Sequence, residues 1–166
     1  YNMQKPIVSA VNGYAMGAGF SLALATDLIF SSDKAQFGLS FTKVGLMPDC
    51  GLMYFLPKAV GPWKAKEWIY SAKVISSEEA YQFGIVNEVI NQDVLDYAVE
   101  YAERLSETAL HALKFSKLVI KESMHLSLDA TIRFENMAQT ILQQTDDYQE
   151  GVQAFKEKRK PIFKGK

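Results

Sequence analysis

The chain has 166 residues, 48% of them hydrophobic, with 18 Lys and Arg set against 19 Asp and Glu. A net charge of −1 offers no basic surface for non-specific nucleic-acid binding, and the apolar share excludes a disordered chain. No apolar run reaches the roughly 18 residues that a membrane helix needs. The single cysteine, Cys50, excludes an internal disulfide and a cysteine-based metal cluster, and it suits a reducing, cytoplasmic compartment. Residues 1–5 are not a signal peptide, and the chain opens almost at once on a buried-looking strand, so further sequence is expected upstream.

Taken in order, residues 6–11 (PIVSAV) are short, apolar and β-branched, and they predict a buried strand. Residues 12–19 (NGYAMGAG) carry three glycines in eight positions and read as a turn built of backbone. A helix over 20–25, a strand over 27–31, a turn at 32–34 and a short strand over 35–39 follow. Strand, glycine turn, helix and strand make a βαβ-like unit whose default crossover is right-handed.

Beyond Pro48 the pattern turns helical over 51–60 and again over 63–71, the second behind Gly61-Pro62. Ser76-Ser77-Glu78-Glu79 supplies a cap and early carboxylates for a short helix ending at Gly84, and 85–90 reads as a strand. From Asp93 onward Val94, Tyr97, Ala98, Tyr101, Ala102 and Leu105 recur at spacings of three and four. Similar stripes cover 113–124 and 132–142. The domain reading is an α/β region over residues 1–90 and a helical region over 91–166 whose apolar stripes require a covering surface. No repeat, linker or low-complexity stretch interrupts it.

Four ordered blocks of residues resemble one known family. Lys5-Pro6-Ile7-Val8, Asn12-Gly13-Tyr14-Ala15, Gly17, Gly19 and Leu22 form the first, and Asp27, Ala35-Gln36-Phe37-Gly38, Gly45, Pro48 and Gly51 the second. Ser77, Glu79-Ala80, Gly84-Ile85-Val86 and Val89 make the third. Asp146-Asp147, Glu150-Gly151, Ala154-Phe155, Lys158-Arg159, Pro161, Phe163 and Gly165 make the fourth. Together they resemble the crotonase (enoyl-CoA hydratase/isomerase) superfamily over the whole chain.

The resemblance implies an α/β fold with the ClpP-like ββα core, N-terminally incomplete here, followed by a C-terminal helical trimerisation region. It implies a homotrimer or hexamer acting on an acyl-CoA thioester, with coenzyme A as part of the substrate and no prosthetic group, no metal, no nucleic acid and no membrane as partners. In full-length relatives the upstream portion supplies more of the β core, much of the CoA-binding surface and the first of two oxyanion-hole amides.

The glycine turn is the first candidate site. Fixed backbone N–H groups at a helix start stabilise the negative charge that builds on a thioester oxygen, and losing one such donor costs about 3–4 kcal/mol of barrier. By similarity the donor is the N–H of Ala18, with Gly17 and Gly19 leaving room for the oxygen. The competing reading is a tight turn that needs glycine for positive φ.

Hydratases of the family place two glutamates at positions held here by Ser21 and Phe41, neither of which moves a proton near neutrality. One carboxylate remains nearby, Asp49, where the family's isomerases carry their single acid/base group. The resemblance therefore favours an acyl-CoA isomerase working through a thioester enolate. The alternatives are a hydratase-type lyase using Asp49 alone, a dehalogenase with Asp49 as nucleophile, or an incompetent module. Asp49 as the cap of the following helix is the structural alternative.

Tyr14, Leu46 and Phe41 join Gly17 and Gly19 as substrate-lining candidates, Tyr14 also fitting a structural role, and residues 52–56 fit an acyl pocket or core packing equally. By similarity Phe163 and Lys164 reach towards CoA; the alternative for the basic run 158–166 is a solvated helix end. Cys50 reads as small buried packing, and His111 and His125 as surface or interface residues.

Overall fold

The computed structural model describes residues 1–166, and its contacts divide them into two units. One comprises Tyr1 and Ile7–Tyr101; the other comprises Asn2–Pro6 and Ala102–Lys166.

In the first unit, β1 (Val8–Val11) pairs in parallel with β3 (Leu28–Ser32), Val8 opposite Leu28. The strand β6 (Glu88–Ile90) extends the same sheet in parallel on the other side of β3. A second sheet is built from β2 (Tyr14–Met16), β4 (Gln36–Gly38) and β5 (Val74–Ser76), with β2 parallel and β5 antiparallel to β4. The helix α1 (Ala18–Leu24) connects β2 to β3.

Three expectations change here. The glycine-rich stretch contains a strand, Tyr14–Met16, because alternating Tyr, Ala and Met can line an edge beside Gln36–Gly38. The helix begins at Ala18 rather than 20 and ends one residue sooner. A single 3₁₀ turn over Ser40–Val44 and the strand Val74–Ser76 went unread, both too short to show a period.

Helices α2 (Leu52–Val60) and α3 (Pro62–Tyr70) follow as the pattern predicts, with Gly61 between them and Pro62 opening the second. The short α4 (Ser77–Gln82) is capped by Ser76, whose hydroxyl accepts the Glu79 N–H at 3.1 Å. Each of these helices buries one face in a common core. Phe20, Phe37, Leu39, Leu52, Leu56, Trp68 and Ile75 are fully buried, and each such side chain contributes roughly 1.5–3 kcal/mol of transfer free energy. Phe20 and Phe37 meet with ring centroids 5.1 Å apart, fixing α1 on β4.

Beyond α5 (Val94–Ser106), the second unit is helical: α6 (Leu110–Ser123), α7 (Leu128–Leu142) and α8 (Asp146–Glu157). Ser127 and Thr145 cap the last two through hydroxyls that accept from Ala130 and Tyr148. The basic run is not a helix end. The helix stops at Glu157, Lys158 takes a left-handed φ of 56°, and the residues after it form a tail with no regular element.

That tail is tied back within its own unit. Arg159 grips both oxygens of Glu150 at 2.6 and 2.9 Å, and the Ile162 N–H donates to the same carboxylate at 2.8 Å. These donors hold the Glu150 carboxyl down at about 2, Arg159 contributing most. The buried Asp147 accepts the Lys164 N–H at 2.7 Å and the Gly165 N–H at 3.0 Å, and His111 Nε2 lies 3.0 Å from the Gly165 carbonyl.

Candidate functional site

The glycine turn leads into α1 through Gly17, whose φ of +54° belongs to the region glycine enters without strain. Its N–H is bound to the Gly38 carbonyl at 2.9 Å, which fixes the turn on β4. No side chain caps α1, so its first-turn amides at Ala18 and Gly19 lie at the open, positive end of the helix. Ala18 and Gly19 are exposed, and a methyl placed on Gly19 would meet nothing within 4 Å. The approach to these amides is clear.

Phe41 stands over the turn. A Cβ on Gly17 would lie 3.6 Å from its ring, so the half-buried phenyl forms a wall beside the helix start. Leu46 is held to the same 3₁₀ turn by its N–H, which donates to the Phe41 carbonyl at 3.1 Å, while its side chain is mostly exposed.

Asp49 joins this group through its main chain. The Ser21 hydroxyl, fully buried on α1, lies 3.0 Å from the Asp49 carbonyl and 3.3 Å from the Gly17 carbonyl. A loop 28 residues further along is thereby fastened to the glycine turn. The Leu52 N–H also donates to the Asp49 carbonyl at 3.0 Å. The residue's own side chain does not cap α2. That cap position is Gly51, at φ +87°, where a Cβ would crowd Phe55 at 2.8 Å, and no side chain bonds there. The exposed Asp49 carboxylate instead faces Cys50, whose thiol is pushed up by hydrogen bonding to it and then by its charge.

Gly17, Gly19, Ala18, Ser21, Phe41 and Asp49 are thus assembled within one unit. Cys50 departs from expectation: it is exposed, on a loop residue whose φ of 51° is left-handed. Tyr14 is 79% exposed on its strand, so core packing does not explain it. Phe163 and Lys164 belong to the helical unit. Phe163 is half-buried, with its ring 3.5 Å from where a Cβ on Gly151 would be, and it helps line a cavity of about 530 Å³ together with His111, Tyr148 and Phe155. Lys164 anchors its backbone to Asp147 and leaves its side chain exposed.

The tether through Ser21 was missed in the sequence. A signal existed: a hydroxyl on the buried face of an apolar helix (FSLALA) must find an acceptor. No group of three or more His, Cys, Asp or Glu side chains is placed to hold a metal, and no helix is long and apolar enough to cross a membrane.

Comparison with known proteins adds to this geometry. The chain is 37% identical over 163 residues to the 2,3-dehydroadipyl-CoA hydratase of Escherichia coli K12, covering 98% of this chain and 64% of that protein. It is 35% identical over 173 residues to the carnitinyl-CoA dehydratase of E. coli SMS-3-5, covering 100% of this chain and 66% of that one. The crystal structure of an enoyl-CoA hydratase from Bacillus anthracis superposes with a TM-score of 0.95 at 34% identity, over 99% of this chain and 64% of that one. The chain therefore spans just under two thirds of the length of these relatives. The relatives are named hydratase and dehydratase, not isomerase. With the sequence profile of the enoyl-CoA hydratase/isomerase family matching residues 1–166, the chain belongs to that family, the crotonase superfamily.

Proposed function

We propose that this chain carries the acid/base side of an acyl-CoA isomerase site, with Asp49 moving the proton and the Ala18 N–H receiving the thioester oxygen. The observation that carries this reading is the content of the two positions where the resemblance expects glutamates. One is a buried serine occupied with main-chain carbonyls, and the other is a phenyl ring packed at the glycine turn. Asp49 is left as the nearby acidic residue, its main-chain carbonyl fastened to that turn.

One carboxylate suffices for a proton shift. It removes a proton from the carbon between carbonyl and alkene of a β,γ-unsaturated thioester. The electron pair moves onto the thioester oxygen, giving a dienolate, and the same group returns the proton at the γ-carbon as the pair flows back. The backbone amide is aimed at the oxygen where charge develops, the arrangement in which such donors act most strongly. Phe41 and Leu46 would line the carbon skeleton, with Gly17, Gly19 and Tyr14 at its carbonyl end. Coenzyme A is part of the substrate, and no prosthetic group enters the steps.

Asp49→Asn in the intact protein is expected to lower kcat for a 3-enoyl-CoA at least a thousandfold while acyl-CoA affinity changes less than threefold. Full turnover by that variant would refute the assignment. A second reading has its own support in the names of the relatives, hydratase and dehydratase. In it Asp49 alone manages addition or loss of water, and mass spectrometry of the product separates the two, since only hydration adds the mass of water.

For residues 102–166 we propose self-assembly into trimers or trimer pairs. Ile120, Leu128, Met137 and Ile141 are 51–74% exposed, an apolar load that a solvated surface does not favour. Phe163 and Lys164 are proposed CoA contacts in that assembly.

A further inference from the structure

We propose that Ser21 is a positioning residue that sets where Asp49 stands relative to the glycine turn. The inference rests on the acid/base reading of Asp49 and deepens it. The ordinary fate of a serine inside a helix is to bond back to the carbonyl four residues earlier, which here is Gly17. The lone pairs decide against that. A carbonyl oxygen accepts two hydrogen bonds, and the Gly17 oxygen already takes the Phe20 and Ser21 N–H groups at 3.0 and 3.1 Å. The Asp49 oxygen holds only the Leu52 N–H among main-chain donors, so one lone pair is open. The hydroxyl has one proton to give. It goes to Asp49, along the shorter contact of 3.0 Å rather than the 3.3 Å one.

The consequences are local and mechanical. Pro48 is buried immediately before Asp49, while Cys50 and Gly51 immediately after it take left-handed φ values of 51° and 87°. Two successive residues in that region make a tight bend whose direction the chain alone does not fix. The Ser21 bond fixes it against α1, the element whose first amides face the substrate oxygen. Carboxylate and oxyanion donor are thereby referenced to one helix. Ser21 itself is fully buried and its hydroxyl meets main-chain carbonyls, so it acts through Asp49 and not on substrate.

The test compares Ser21→Ala, Ser21→Cys and Asp49→Asn in the intact protein, using 3-hexenoyl-CoA as probe and circular dichroism to verify folding. Displacing a reacting group by about 1 Å can cost a hundredfold in rate. Ser21→Ala is therefore expected to lose roughly ten- to a hundredfold in kcat with KM held within twofold, and Ser21→Cys, nearly isosteric with a weaker donor, to fall between. A merely structural role would change melting temperature and leave kcat per folded molecule alone. Should Ser21→Ala not fold, the cysteine variant decides by the same split. If Asp49→Asn is inactive while the folded serine variants keep kcat within twofold, the positioning role is overturned and the acid/base reading stands. If Asp49→Asn keeps its activity, the acid/base reading falls and takes this inference with it.

Discussion

Trp68, Phe20, Phe37, Leu52, Leu56 and Ile75 are sealed inside the α/β unit, whereas the helical unit buries only Ala138, Asp147 and Ala154. The first unit packs its large side chains on both sides of short strands. The second relies on small alanines at its helix contacts and on polar ties: Arg159 to Glu150, the tail amides to Asp147, His111 to Gly165. A unit held by area resists pH and salt; a unit held by charge-assisted bonds does not. The α/β unit therefore draws its stability from buried area, and the helical unit from small-residue contacts and polar ties.

The largest expected effect lies in the first unit. Trp68→Ala removes a fully buried ring and should cost about 3–5 kcal/mol, read as a lowered midpoint in urea unfolding. A loss under about 1 kcal/mol would mean that the α/β unit is not the area-held half.

Next comes the uncovered face of α7. A paired Met137→Asp and Ile141→Asp change should leave the monomer's helicity intact and break up its oligomers in sedimentation velocity, because both side chains are more than half exposed in the single chain. A parent that sediments as a monomer at micromolar concentration would remove the assembly proposal altogether.

The smallest effect is the pH response of the tail. Glu150 has its carboxyl lowered from 4.5 to about 2 by Arg159 and the Ile162 N–H. A depressed carboxyl contributes stability that is whole above its unfolded value and fades as the pH falls from about 4.5 towards 2. Protection of the Ile162 amide, taken relative to its intrinsic exchange rate at each pH, should fall across that window, and Glu150→Gln should flatten the response. An unchanged profile in that variant would show that the tail is held by other means.

How much of this was legible follows from particular residues. The helices over 52–60 and 62–70 announced themselves through Gly61-Pro62 and their apolar spacing, and Ser76 was readable as a cap because Glu78 and Glu79 follow it. The strand Tyr14–Met16 was hidden in a glycine-rich stretch, since three residues carry no period and their strand character comes from pairing with Gln36–Gly38. Cys50 was misread as buried because cysteines usually pack inside, and nothing local shows that its backbone takes φ 51°.

By itself the sequence determined the α/β-then-helical order, the family and the residue types available for chemistry, because period, turn residues and side-chain identity are local properties. Only the tertiary structure decided that the Ser21 hydroxyl meets the Asp49 carbonyl, that Phe41 walls the glycine turn and that Asp147 gathers the tail amides. Each of those contacts joins residues 17 to 28 positions apart, and their existence depends on how buried strands and helices direct the chain, which no local pattern encodes.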